Sequence, residues 1–390
     1  MADKKIEKFG SIRLKSDKKA AKKYLRIPLA VIIIIAILIV AFNIAGDILT
    51  SNISDAIKLI PYGFSQGSGY PYSFEQSTFK KAVTVSEQMG VLTEDSYSLL
   101  NRTANPTAKF KVSLNDPKVC SSNGRSVVYS NLSNVIYTYS KTKQINKSEC
   151  AGVVTSADIS SHGAVAACCR GEDSRSVIDV FNCKGKLEFE WKCYDEYITS
   201  ASLSPFGKYV AVCLIGAENV DVYSRILMFK TDDTTARLDL KLKDTTALKI
   251  VSLKFNKILV ICNNKSLIID KDGNILQEFD YSGESPEKIF VDDSHNSLIC
   301  YGILGGTGYR TIVISPYAQV KSDFNIDFKP SSCYNSKNKI VFSAGSLFRV
   351  YRNDGVMINT TETDNIIDSV YILADRVYTV ANGSVFKFKY

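Results

Sequence analysis

From Ala82 onward one pattern recurs: an apolar strand, a polar turn and a second apolar strand. The units begin at Ala82 (AVTVSEQMGVLTEDS), Lys118, Ser156, Ser200, Lys249, Lys288, Ser332 and Ser369, with starts 36, 38, 44, 49, 39, 44 and 37 residues apart. Most continue into a third alternating strand, such as SVIDVFN, RILMFK or SLFRVYR, and several then turn at a glycine (Lys184-Gly185, Asp272-Gly273, Asp354-Gly355) into a fourth, such as KLEFEWKC. Four short antiparallel strands in about 40 residues make one blade of a β-propeller, whose small sheets pack face to face around an axis. The chain is therefore read as all-β, a propeller of about eight four-stranded blades, with seven as the alternative. The last unit, from Ser369, has room for only three strands. The segment YSFEQSTF (72–79) is the predicted fourth, joining the two ends of the propeller in one sheet.

Ahead of the repeats lies a different kind of segment. Ile27–Gly46 (IPLAVIIIIAILIVAFNIAG) carries no charge between Arg26 and Asp47, and twenty residues at about 1.5 Å each match the roughly 30 Å of a bilayer's hydrocarbon core. Met1–Arg26 holds ten Lys/Arg against three acids, so 10 − 3 = +7 of the chain's formal +8 sits there. A basic flank stays cytoplasmic, which predicts a single-pass type II protein of the cell membrane with its amino terminus inside and its large domain extracellular. A cleaved signal peptide is the rival; the apolar run is longer than an ordinary signal core, and Asn43-Ile44-Ala45 is a poor cleavage site. The expected divisions are a basic tail (1–26), a transmembrane helix (27–46), a stalk and linker (47–72) and the propeller (73–390). The tail and helix take membrane lipid as their partner. The apolar residues Ile53, Ile57 and Ile60 keep helical spacing up to Pro61, so the stalk is expected to begin as a helix.

The most regular unit reads Ser202-Leu203-Ser204-Pro205-Phe206-Gly207-Lys208-Tyr209-Val210-Ala211-Val212 and resembles the strand-turn-strand of WD40-like and TolB-like propellers. The paired Gly-His and Trp-Asp signatures of WD40 repeats are missing, and Trp191 is the only tryptophan. The whole layout is also similar to a family of membrane-anchored, single-pass propellers from Gram-positive anaerobes. That resemblance implies an anchored propeller and brings neither an activity nor functional residues.

Ten cysteines in an external domain raise the question of disulfides. Aligning the repeats sets Cys168, Cys213, Cys262 and Cys300 at the end of second strands, a position where cysteine serves as a small apolar side chain, and puts Cys120 and Cys333 in first strands. Mostly free thiols are expected, with a pair such as Cys150 and Cys193 as the alternative.

Chemistry-bearing patterns are sparse. His162 and His295 fall in the turn that Pro205-Phe206-Gly207 fills in another unit, and Asp158, Asp292 and Asp293 lie beside such turns, where carboxylates bond the backbone. No catalytic residue, metal site or cofactor is predicted. With the charge concentrated in the tail, the external domain is nearly neutral, which argues against nucleic acid as a partner. The expectation is a binding or scaffold module of the cell envelope whose partner is an envelope protein or glycan. The alternative is a glycan-active hydrolase with two carboxylates at the channel. The loops that break the repeat supply the candidate contact residues: Asp221, Arg225, Asp232 and Asp233 in the longest unit, and Gly305, Gly306, Tyr309 and Arg310 in the glycine-rich one.

Overall fold

A computed structural model describes residues 53–61, 67–74, 79–219, 221–292, 295–336 and 338–390. The apolar run 27–46 and the basic tail lie outside them. Among the described residues no helix is long and apolar enough to cross a membrane.

Among the described residues thirty-two strands form eight antiparallel sheets of four, and seven of the sheets take their strands in simple chain order. The propeller has eight blades, as the repeat arithmetic requires. We number them 1 to 8 along the chain (residues 79–111, 117–149, 153–193, 197–243, 247–280, 286–326, 332–362 and 369–389) and letter the strands A to D from the channel outward. Blade 8 is completed by the amino-terminal strand Tyr72–Ser73, which pairs with Ser384–Lys389 through Tyr72↔Val385 and Ser73↔Ser384. Side chains seal the same joint. The Tyr371 hydroxyl donates to the Ala82 carbonyl at 2.9 Å, and the Tyr334 hydroxyl bonds Thr84 Oγ1 at 2.8 Å, tying blades 8 and 7 to blade 1.

Each blade is apolar on both faces because both are covered by neighbours, so strands B and C read as nearly continuous apolar runs, for example YVAVCLIGAE (Tyr209–Glu218). Strand D faces solvent on one side and alternates, as in LEFEWKC (Leu187–Cys193). The core is consequently divided into slabs between blades. One slab holds Ala211, Cys213 and Met228 of blade 4 against Ile250, Val260 and Cys262 of blade 5.

All ten cysteines are free thiols. Their alignment needs one correction. Cys168, Cys213 and Cys300 each lie opposite the residue that follows a bulge in strand A (Ser156, Ser200 and Lys288), but Cys262 lies opposite Ala247, before the bulge. The equivalent of Cys213 in blade 5 is Ile261. The cause is the A–B turn: Leu203 pairs with Val210 in blade 4, whereas Ser252 pairs with Ile258 in blade 5, one residue sooner. A slip of one residue turns a side chain to the other face. Cys262 thus faces back toward blade 4, and Cys213 meets it from the other side of the same slab.

Candidate functional site

Strand A of each blade lines a central cavity of about 550 Å³. Bulges in strand A of blades 1, 3, 4 and 5 precede Lys81, Ser156, Ser200 and Lys249, all of which reach this lining. Burial lowers the Lys249 amine from its ordinary value, opposed by attraction to Asp158. The acids that reach the channel are already engaged: Asp158 Oδ2 accepts the Leu203 amide at 2.9 Å, and Asp292 Oδ1 accepts the Asn296 amide at 2.8 Å. A glycosidase needs an opposed pair, one of them free to hand over a proton. These two carboxylates hold backbone instead, so the hydrolase reading gains no support from them. Asp293 lies outside the described residues.

The histidines do turn work, as expected. His162 Nδ1 lies 2.9 Å from the Pro205 carbonyl and its ring packs on Phe206 with centroids 4.3 Å apart. His295 Nδ1 lies 2.6 Å from the Ser252 carbonyl. Each ties the A–B turn of its own blade to another blade.

The contact residues expected from the long loops do not form one surface. Asp221 begins strand C of blade 4 (Asp221–Lys230), while Asp232 and Asp233 lie beyond its far end, so a ten-residue strand separates them. They belong to opposite faces of the disc. Asp233 Oδ1 accepts the Thr235 amide at 2.9 Å, and Asp232 bonds Lys230 at 2.5 Å. Arg225 is gripped bidentately by Asp239 (2.7 and 2.6 Å) and also reaches Glu196 at 3.2 Å. Arg310 makes the same fork with Asp323, at 2.8 Å twice. Both arginines brace strand D against strand C. Tyr309 packs at the edge of the slab between blades 6 and 7, and Gly305, at φ +72, and Gly306 form the B–C hairpin tip of blade 6.

A different surface stands out on the face formed by the A–B and C–D turns. There Phe206 is 62% exposed, Phe255 76% and Tyr317 50%. Phe255 and Tyr317 lie 6.2 Å apart, and the Lys254 ammonium sits 4.2 Å from the Tyr317 ring centre. Lys254 and Tyr317 line a recess of about 450 Å³ together with Pro205, His295 and Pro316, and His295 also lines the channel. Phe255 is held at φ 60, ψ 35, the left-handed region that a bulky residue enters only at a cost of about 1 kcal/mol or more. The Lys254–Asn256 turn thus keeps a large apolar ring in water by means of a strained backbone. The sequence signal lies in Pro205-Phe206-Gly207 and Lys254-Phe255-Asn256, aromatics at one turn position of adjacent blades, but aromatics are also ordinary core residues, so the pattern alone does not mark a surface.

The helix over residues 53–61 joins the same face. Its Asp55, 2% exposed, accepts from Ser140 at 3.1 Å and from Thr142 at 2.5 Å, in the C–D turn of blade 2. Ile53, Ile57 and Ile60 point away, 52%, 61% and 58% exposed.

Closed ring and central channel define an eight-bladed β-propeller. Residues 69–388 match the model described as "Family of unknown function (DUF5711)", and the chain belongs to that family. No curated protein matches its sequence. Among solved structures it is similar in fold to Saccharomyces cerevisiae Sqt1 (10% identity, TM-score 0.56, covering 82% of this chain and 98% of that one). The C-terminal WD40 domain of Sif2 (10%, TM-score 0.54, 80% and 98%) and BamB from Moraxella catarrhalis (11%, TM-score 0.52, 84% and 99%) are similar too.

Proposed function

We propose that this chain is a membrane-tethered, extracytoplasmic binding module of the cell envelope, taking a partner protein or glycan on the face built from the A–B and C–D turns. The observation that carries the binding surface is Phe255, 76% exposed and held at positive φ beside Tyr317, whose ring also meets Lys254, with exposed Phe206 at the same turn position of the adjacent blade. Exposed aromatics next to a recess that holds Tyr317 and two lysines, Lys254 and Lys321, are the composition of a recognition hot spot. Tethering rests on the uncharged run 27–46, the +7 tail before it and the apolar stripe Ile53, Ile57, Ile60 soon after it. Since residues 53–61 dock on the aromatic face, the partner in this reading is one that is reached close to the membrane surface.

A photo-crosslinking residue placed at 255 or 206 of the full-length protein in intact cells should yield a defined adduct. The same residue at Leu304, 67% exposed on the opposite face, should give none. Adducts from 304 alone, or from 255 to lipid alone, would reject this surface as a partner site.

A further inference from the structure

Between blades 2 and 3, away from the aromatic face and the channel, three metal-ligating side chains converge. Cys150 follows strand D of blade 2 (Gln144–Glu149), Cys169 lies in strand B of blade 3 (Val165–Arg170) and Asp179 in strand C (Ser176–Phe181). Their sulfur and oxygen donor atoms all lie within 4.8 Å of one another. All three side chains are buried, Asp179 at 1% exposure, amid Val127, Ile136, Val154 and Val177.

Asp179 is the anomaly. The register places it where Leu227, Leu267 and Ile312 stand in blades 4, 5 and 6, each packed on the preceding blade. A carboxylate there is costly to bury without partners. Its Oδ2 accepts the Ala151 amide at 2.7 Å, and its Oδ1 has no hydrogen-bond partner. That bond also fixes the segment carrying Cys150. The approach is close: a Cβ at Gly152 would sit 1.9 Å from the Arg170 carbonyl oxygen, so only glycine lets residues 150–152 lie against the end of the strand that carries Cys169. Two thiols alone could pair as a disulfide, but that would leave the carboxylate oxygen orphaned in an apolar slab.

We infer that Cys150, Cys169 and Asp179 form a binding site for one thiophilic divalent cation of the Zn²⁺ class, wedged between blades 2 and 3. Two thiolates and one carboxylate oxygen suit tetrahedral Zn²⁺, with a fourth position left for water, and exclude Ca²⁺ and Mg²⁺, which take all-oxygen sets. Binding releases the two thiol protons, and any proton on Asp179, to solvent. The ion would clamp two blades.

The full chain, purified in detergent, reduced and stripped with a chelator, should take up Co²⁺ at one per chain. A thiolate-to-cobalt charge-transfer band and release of about two protons per ion should accompany uptake, and Zn²⁺ should displace the Co²⁺. Cys169→Ser and Asp179→Asn should each weaken uptake by about tenfold or more, and Cys213→Ser should leave it unchanged. Should the site variants fail to fold, X-ray absorption of the Zn²⁺-loaded wild type still decides: two sulfur neighbours are expected. Absence of the band at one equivalent, zinc without sulfur neighbours, or a Cys150–Cys169 disulfide in protein isolated without reductant would overturn the site.

Discussion

Deleting Ser384–Tyr390 should unfold the entire ring rather than fray its last blade. The strand Ser384–Lys389 is third in a sheet of four: it pairs with Arg376–Ala381 on one side and with Tyr72–Ser73 on the other. Its loss frees the amino-terminal strand, bares an inner strand edge and uncovers Tyr378 and Val380, which are 1% and 0% exposed. The slab affected is the one spanning blades 7, 8 and 1, where Tyr371 and Tyr334 bond blade 1. An open solenoid would lose one repeat and keep the rest; a ring has no terminal cap and loses closure. The expected loss is of the order of the whole stability of a domain, about 5 kcal/mol or more, read as vanished protease resistance and no cooperative melt. A truncated protein that melts within a few degrees of the intact one would show that closure contributes little.

Alkali should be the second severe perturbation. Burial pushes the thiols of Cys168 and Cys262 up to about 12 and that of Cys300 up to about 11, and raises Cys213 well above the ordinary value of 9.0. All four are at most 1% exposed. Above pH 9 the unfolded chain surrenders these protons and the native state does not, so the unfolded state binds fewer protons and stability falls as pH rises. Each thiol contributes about 1.4 kcal/mol per pH unit over that window, and the four together about 5 kcal/mol between pH 8 and 10. Urea unfolding of reduced protein at the two pH values measures it. Burial raises Cys120 and Cys333 as well, so replacing Cys168 and Cys213 by alanine should make the drop smaller by about 3 kcal/mol without abolishing it, and an unchanged midpoint from pH 8 to 10 would contradict the buried-thiol packing.

The features legible in the sequence were those fixed by local periodicity. Eight strand-turn-strand units gave eight blades because an interior sheet has no polar face to blur its boundaries. The shortfall of the last unit points to the segment 72–79, of which Tyr72–Ser73 forms the fourth strand while Phe79 opens the first strand of blade 1, because ring closure needs a strand from the other end of the propeller. What local periodicity does not carry is register. Cys262 aligns with Cys213 in sequence, since both lie fourteen positions into their repeats counted from Lys249 and Ser200, and a turn shorter by one residue sets it on the other face. Arg225 and Arg310 read as loop contacts because their anchors, Asp239 and Asp323, become neighbours only once strands C and D are paired. Loop length and charge drew attention to Asp221 and Asp232, but the alternation of antiparallel strands puts their turns at opposite ends of the sheet. The exposure of Phe255 depends on a left-handed φ, which composition does not report. Asp179 sits within an apolar run, VIDVF, where a single acid looks like ordinary alternation until its neighbours are known.

The proposed tethered module requires the propeller to lie outside the membrane. Protease added to intact spheroplasts should degrade the chain beyond Asp47, once the closed ring is loosened by mild denaturant or cleaved at an exposed turn such as Leu304-Gly305. The amino-terminal tail should survive as a small protected fragment that an antibody to Met1–Arg26 detects. Lysed spheroplasts should lose the tail as well. A propeller that stays intact in sealed spheroplasts and is cut only after lysis would place it in the cytoplasm and contradict the tethered, outward-facing module.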